Sequence, residues 1–151
     1  MIAIGSDHGG VQLKDAVRAY LVGRGLIVDD LGTNNEDSVD YPDFGARVAK
    51  AVSRQVVAKG ILICGTGIGM SITANKFPGV RAALVWDDFT AQMAKEHNDA
   101  NILVLGGRVL SADAACRMIG IWLDSTFAGG RHQGRLDKIA RIEEDVRHGR
   151  L

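Results

Sequence analysis

The chain has 151 residues, 46% of them hydrophobic and 24% charged, with 18 basic side chains balanced by 18 acidic ones. A chain of this length buries roughly 70% of its unfolded surface, which excludes a disordered segment or a disulfide-stapled miniature and predicts a single domain over residues 1–151. Zero net charge excludes a nucleic-acid surface built on bulk electrostatics. No apolar run approaches the roughly 20 residues that span a bilayer. The opening Met1–Gly5 has no basic region or long apolar stretch of an export signal, so a cytoplasmic protein without a membrane partner is expected. Cys64 and Cys116 fit no paired metal spacing, and a reducing compartment keeps both as thiols.

In chain order, short β-branched runs alternate with longer amphipathic ones. Met1–Gly5 reads as a strand and is followed by a helix carrying Leu13, Val17, Tyr20 and Leu21 on one face. A second strand is expected at Leu26–Asp30, then a helix through Phe44, Val48 and Val52. Gly60–Cys64 is the most apolar strand and runs through a glycine-rich loop into a third helix. Arg81–Trp86 precedes a helix for which Asp88 is the expected N-cap, and Ile102–Leu105 precedes one capped by Ser111 that buries Met118, Ile121 and Trp122. A last helix over about 134–148 puts Ile139, Ile142 and Val146 on one stripe, free to lie on the domain or reach a neighbouring subunit. Near-continuous apolar strands joined by helices predict a three-layer α/β/α sandwich around five parallel strands. In such sheets ligands bind beyond the carboxyl ends of the strands, so the loops there carry the functional question.

Three stretches and a set of arginines stand out. Ser6-Asp7-His8-Gly9-Gly10 brings a carboxylate and an imidazole to the end of the first strand, with glycines that let a ligand approach the backbone. An aspartate alone there would read as a helix cap; the adjacent pair favours a site. Cys64-Gly65-Thr66-Gly67-Ile68-Gly69 alternates glycines ahead of a helix, an arrangement that leaves amides free to face an anion. The same field favours the thiolate of Cys64. Cys116, in a helical pattern, reads as a small buried hydrophobe. Two other uses of the glycine loop fit poorly. A dinucleotide fingerprint wants a third glycine where Met70 stands, although Asp87, 22 residues after Gly65, keeps a nucleotide-binding module open as an alternative. A cysteine phosphatase wants an arginine closing the loop, and no basic residue follows Cys64 before Lys76.

Glu96-His97-Asn98-Asp99 ends the fourth helix at the amino edge of the sheet, opposite Asp7 and Cys64. A histidine there is commonly a C-cap. For His97 to act in catalysis, a second subunit must carry it across, which predicts a symmetric dimer with shared sites. Arg108 follows Gly106-Gly107 after the fifth strand, and Arg131 and Arg135 share one helix face, suited to gripping a phosphate. Arg141, Arg147 and Arg150 read as solvated charge.

The motifs S-D-H-G-G, D-Y-P, C-G-T-G-I-G, E-H-N-D, G-G-R-V and G-G-R-H-Q-x-R, in this order over essentially the whole chain, resemble the type B ribose-5-phosphate isomerase family, which includes galactose-6-phosphate and allose-6-phosphate isomerases. The resemblance implies a Rossmann-like α/β/α sandwich, aldose-ketose isomerisation of a sugar phosphate with no cofactor and no metal, and a homodimer or dimer of dimers. It implies Cys64 as the base at sugar carbon 2, a cis-enediolate held by the amides of Gly65, Gly67, Ile68 and Gly69, and Thr66 as the proton relay between its oxygens. His97 of a second subunit would open the furanose ring with Asp7, and Asn98 would hold a sugar oxygen. His8, Arg108, Arg131 and Arg135 would grip the phosphate, and Tyr41 would line the cleft. Some relatives replace the cysteine with a carboxylate further along the loop; here that position is the apolar Ile68, so the cysteine version applies. Ribose 5-phosphate is the expected substrate, with the six-carbon sugar phosphates as alternatives.

Overall fold

A computed structural model describes residues 1–151. Five parallel strands, β1 (Ile2–Ser6), β2 (Val28–Asp30), β3 (Lys59–Cys64), β4 (Ala82–Leu84) and β5 (Ile102–Gly106), form one sheet in the order β2-β1-β3-β5-β4. The helices are α1 (Val11–Gly23), α2 (Tyr41–Ser53), α3 (Ile68–Ala74), α4 (Asp88–Glu96), α5 (Ala112–Asp124) and α6 (Arg131–Arg147). A short 3-10 turn, His8–Gly10, precedes α1. No helix is long and apolar enough to cross a membrane.

The central strands alternate their side chains between two cores, as the period of two requires. Ile2, Ile4, Ile61, Ile63, Leu103 and Leu105 pack with Val17, Leu21, Met118 and Trp122 on the α1–α4–α5 face. Ala3, Leu62, Cys64, Ile102 and Val104 pack with Val48, Ala49, Val52 and Met70 on the α2–α3 face. The flanking strands β2 and β4 are shorter than Leu26–Asp30 and Arg81–Trp86, because each has a ladder partner on one side only. Their residues are half-buried, and β2 carries two aspartates, so the expectation of uniformly apolar strands holds for the central three alone.

Chain order reverses between β1 and β3, the switch point where a parallel sheet leaves its crevice. The backbone locks the loops there. Gly107 N–H donates to Cys64 O at 2.7 Å, Arg108 N–H to Gly65 O at 2.9 Å and Asp7 N–H to Ile63 O at 3.3 Å. One buried hydroxyl in this region, Ser6 Oγ, has no partner.

Two helix starts differ from the sequence expectation. Asp87, not Asp88, is the N-cap of α4: its carboxylate accepts from Thr90 N–H, and the Thr90 hydroxyl is reciprocally engaged with the cap. Asp88 is the first helical residue and pairs with Arg117 at 2.9 Å. Ser111 caps α5 as expected. The last helix opens at Arg131 rather than near Gly134, because Gly129 and Gly130 take positive φ of 64° and 54° and turn the chain immediately before it. Its buried Leu136 and half-exposed Ile139 face Val80, Ala82 and Ala83 at the β4 edge, and Glu143 accepts from Gly79 N–H at 3.0 Å. Ile142 and Val146 remain exposed.

Candidate active site

The carboxyl edge of β1, β3 and β5 gathers Asp7, His8, Cys64, the glycine loop and Arg108. Asp7 is buried and caps the turn that follows it, accepting from Gly9 N–H at 3.0 Å, so the capping role and the site position coincide in one carboxylate. The space directly above Gly9 is where the groups converge. A Cβ placed there would lie 3.4 Å from Asp7 Oδ1, 3.4 Å from Gly65 N and 3.5 Å from Arg108 Nη2. Arg108 Nη1 also lies 3.4 Å from the corresponding point on Gly65, so its guanidinium lies over both glycines. The amides of Gly65, Thr66 and Gly67 donate to no group in the chain, which leaves open donors beside that cation.

Gly67 holds φ at +81°, and a Cβ there would come within 2.6 Å of Leu84 Cδ1 and 3.1 Å of the Leu105 carbonyl carbon. Only glycine suits this bend. Thr66 is exposed at the loop tip, and its hydroxyl accepts from Ile68 N–H at 3.3 Å. Tyr41, the first residue of α2, lays its ring against Gly69, and a Cβ on Gly69 would meet the ring at 2.5 Å. Helix α3 has seven residues, and its first turn adds to the positive field of the loop amides. Cys64 is 5% exposed at the end of β3.

His8 Nδ1 accepts from Val39 N–H at 3.1 Å, which puts the proton of the neutral ring on Nε2. With Gly9, Gln12, Glu36, Gly107 and Arg108, it lines a polar cavity of about 350 Å³. The segment that delivers the Val39 amide is tied down at several points. Gln12 donates to Glu36 at 2.8 Å, and the fully buried Lys14 ammonium bonds Asp30 at 2.7 and 2.9 Å and Asn34 at 3.2 Å.

The remaining expected residues form a second cluster at the opposite end of the sheet. His97 is the C-cap of α4, and its ring stacks on that of His132 at 4.0 Å between centroids and 15° between planes. Burial pushes the His132 imidazole below its ordinary value, and the nearby His97, Arg131 and Arg135 push it the same way. Arg131 and Arg135 are exposed on α6, and Asn98 is exposed on the turn after His97. Cys64 pairs with Gly106 at one end of β5, while the His97 turn feeds Ile102 at the other. At a strand rise of about 3.3 Å per residue the two clusters are separated by roughly 13 Å of sheet.

Asp87 spends its carboxylate on capping, with Thr90 holding it below the usual carboxylate range through the backbone N–H first and then the hydroxyl. The anchor for a nucleotide ribose is thus otherwise engaged. Cys116 is half-buried in α5; burial and then Asp113 push its thiol up, which fits an inert position. Lys14 and the Val39 amide were not marked by the sequence, and His132 stood inside the motif G-G-R-H-Q-x-R without a role of its own. Their partners lie 16 to 35 residues away along the chain, a spacing that no local motif records.

A parallel α/β sheet whose carboxyl edge carries free amides, an arginine fork and a carboxylate beside the end of the Cys64 strand has groups suited to a small anion. The model of the family described as Ribose/Galactose Isomerase matches residues 2–139. Ribose-5-phosphate isomerase B of Escherichia coli (strain K12) is 46% identical over 143 residues, spanning 95% of this chain and 96% of that protein. The solved ribose-5-phosphate isomerase B of Clostridium thermocellum superposes with a TM-score of 0.94 at 52% identity, covering 96% of this chain and 98% of its own. That of Mycoplasma genitalium, solved with bound ribulose-5-phosphate, gives 0.92 at 42% identity, covering 95% and 96%. The chain belongs to the ribose/galactose isomerase family.

Proposed function

We propose that this chain, acting as one domain, interconverts D-ribose 5-phosphate and D-ribulose 5-phosphate as an aldose-ketose isomerase. The carrying observation is the convergence of Asp7, the free Gly65 amide and Arg108 above Gly9, with Gly65 following Cys64 directly in the chain. Relatives named for this substrate across nearly the full chain support the same reading. In the proposed reaction the Cys64 thiolate takes the proton from carbon 2 of the open-chain aldose, and the electron pair moves through the new double bond to O1. The resulting cis-enediolate is stabilised by the amides of Gly65, Thr66, Gly67 and Gly69, fixed before any charge develops, while the Ile68 amide expected to join them donates to the Thr66 hydroxyl instead. Thr66, exposed beside them, passes a proton from O2 to O1, and the proton held on Cys64 returns to carbon 1. His8 and Arg108 grip the phosphate in the polar cavity they share, and Tyr41 walls the cleft over Gly69.

His97 and Asn98 lie at the far edge of their own sheet, so a second copy of the chain is proposed to bring them, with Arg131 and Arg135, to this crevice. His97 then opens the furanose ring with Asp7, Asn98 holds a sugar oxygen, and the arginines complete the phosphate grip. The exposed stripe of Ile139, Ile142 and Val146 on α6 supports contact with that neighbour.

The test is ketose formation by the purified protein from ribose 5-phosphate, allose 6-phosphate and galactose 6-phosphate. The five-carbon sugar should have the highest kcat/KM. A preference for either hexose phosphate would move the assignment within the family, and tight binding of NAD or ATP without turnover of any sugar would overturn it. Mixing Cys64→Ala with His97→Ala chains should recover about a quarter of wild-type activity, since half the dimers are mixed and each holds one intact site. Mixed dimers that stay inactive would place His97 outside a shared site.

A further inference from the structure

We propose that Arg81 is the positioning residue for His97 and Asn98, the side chain that sets where the donated half of the active site points. The inference deepens the shared-site reading above and rests on it. Arg81 stands at the entrance to β4, and its guanidinium reaches over the turn that follows α4. Nε donates to Asn98 O and Asp99 O, both at 3.1 Å, while Nη2 donates to Asp99 O at 2.9 Å and to Asp99 Oδ2 at 3.3 Å. No other side chain donates to either carbonyl. These carbonyls follow a helix C-terminus, where the orphan acceptors and the negative end of the dipole favour a cation. The planar fork of arginine holds both carbonyls together; a lysine, as a point charge, cannot.

The turn needs holding. Asp99 sits at φ +43°, a left-handed conformation that non-glycine residues adopt only when surroundings enforce it. Lys95 binds the other oxygen of its carboxylate. Trp122 Nε1 donates to Ala100 O at 3.0 Å and Ala128 N–H to Glu96 O at 2.9 Å, so the turn is fastened before and after. Between those fastenings Asp99 N–H also donates to Lys95 O at 3.0 Å, and Arg81 supplies the one side chain that donates to the Asn98 and Asp99 carbonyls. Arg81 is also a wall of two cavities, of about 530 and 210 Å³, so its removal leaves open space on both sides into which the turn can relax. The backbone of residue 81 keeps its own bonds to Asn101, with N–H donating to Oδ1 at 2.8 Å and O accepting from N–H at 3.1 Å, so replacing the side chain leaves the β4–β5 register in place.

A shift of the turn by about 1 Å should cost on the order of 10²-fold in rate. Arg81→Met is expected to lower kcat by 10- to 100-fold with KM for ribose 5-phosphate within about threefold, because Arg108 and His8 lie on the other half-site. Arg81→Lys should behave like the methionine variant. The readout that a merely structural role would not move is complementation. Arg81→Met mixed with Cys64→Ala should recover about a quarter of wild-type activity, while Arg81→Met mixed with His97→Ala should gain nothing over its separate chains. Should Arg81→Met fold poorly, Asp99→Asn, which tolerates the left-handed turn but loses both ion pairs, should fall in the same complementation group with a several-fold loss. Recovery with His97→Ala, no recovery with Cys64→Ala, or near-normal activity of Arg81→Lys would each overturn the proposal. The Cys64→Ala with His97→Ala control separates that outcome from failure of the shared-site reading, which would take the proposal down with it.

Discussion

Lys14 is the most consequential polar residue outside the site, and Lys14→Met is the sharpest test of how the crevice is held. Its side chain is 0% exposed, and its three N–H groups are matched by two contacts to Asp30, at 2.7 and 2.9 Å, and one to Asn34 at 3.2 Å. Methionine fills similar space but strands Asp30 without its counter-charge. Removing one partner of a buried pair costs about 3–5 kcal/mol. Asp30 keeps 14% exposure and a bond from Gly32 N–H at 3.1 Å, which places the loss at the lower end, about 3 kcal/mol. For a chain of this size that is a drop of roughly 6–12 °C in Tm. Urea unfolding at fixed protein concentration gives the midpoint and slope directly. The residues between Asp30 and Tyr41 include Val39, whose amide fixes His8. The same variant should therefore raise KM for the sugar phosphate more than it lowers kcat. Adding Asp30→Leu should recover most of the lost stability, because the orphaned charge goes with it. A loss under about 1 kcal/mol in Lys14→Met would refute the reasoning, since it would mean water satisfies Asp30 as well as the ammonium does.

Gly69→Ala puts a methyl where the Tyr41 ring lies, at 2.5 Å, while improving helix propensity by up to about 1 kcal/mol. KM should rise several-fold with Tm unchanged or higher, measured by steady-state kinetics and thermal melts on one preparation. The His132 imidazole is held below its ordinary value of 6.5 in the fold, so the unfolded chain binds its proton first as pH falls. Its contribution to stability is complete above about pH 6.5 and is lost as pH drops through the folded value. Melts between pH 7.5 and 5 should show a decline that is shallower in His132→Gln. Ser6→Ala removes the unpartnered buried hydroxyl and should be neutral or stabilising by up to about 1 kcal/mol, read as a shift in urea midpoint.

The sequence made the central sheet legible because β1, β3 and β5 are paired on both sides and buried on both faces, so hydrophobicity alone marks them. The ends of β2 and β4 were obscured because half-buried flanking strands carry a weaker apolar signal. The cap of α4 was displaced by one residue: Asp87 and Asp88 are equivalent in composition, and only Thr90, three residues after Asp87, separates them. The carboxyl-edge cluster could be anticipated from loops following strands. Arg81, His132 and Lys14 could not, because each works through a partner on another element. Such contacts follow from topology and leave no periodic trace in the chain.

The central claim is that Cys64 removes the proton from sugar carbon 2. The most direct measurement follows deuterium entering the sugar from heavy water, by proton NMR, for the wild type and for Cys64→Ala, at saturating ribose 5-phosphate and matched folded protein. The account predicts loss of the carbon 2 proton of ribose 5-phosphate in step with ketose formation in the wild type. Deuterium should enter carbon 1 of the ketose to the extent that the Cys64 thiol exchanges with solvent before it returns its proton. Proton loss and ketose formation should both fall at least about 100-fold in the variant, with binding of the sugar phosphate little changed. Loss of that proton in Cys64→Ala within tenfold of the wild-type rate would contradict the account and assign the base to another group on the same edge.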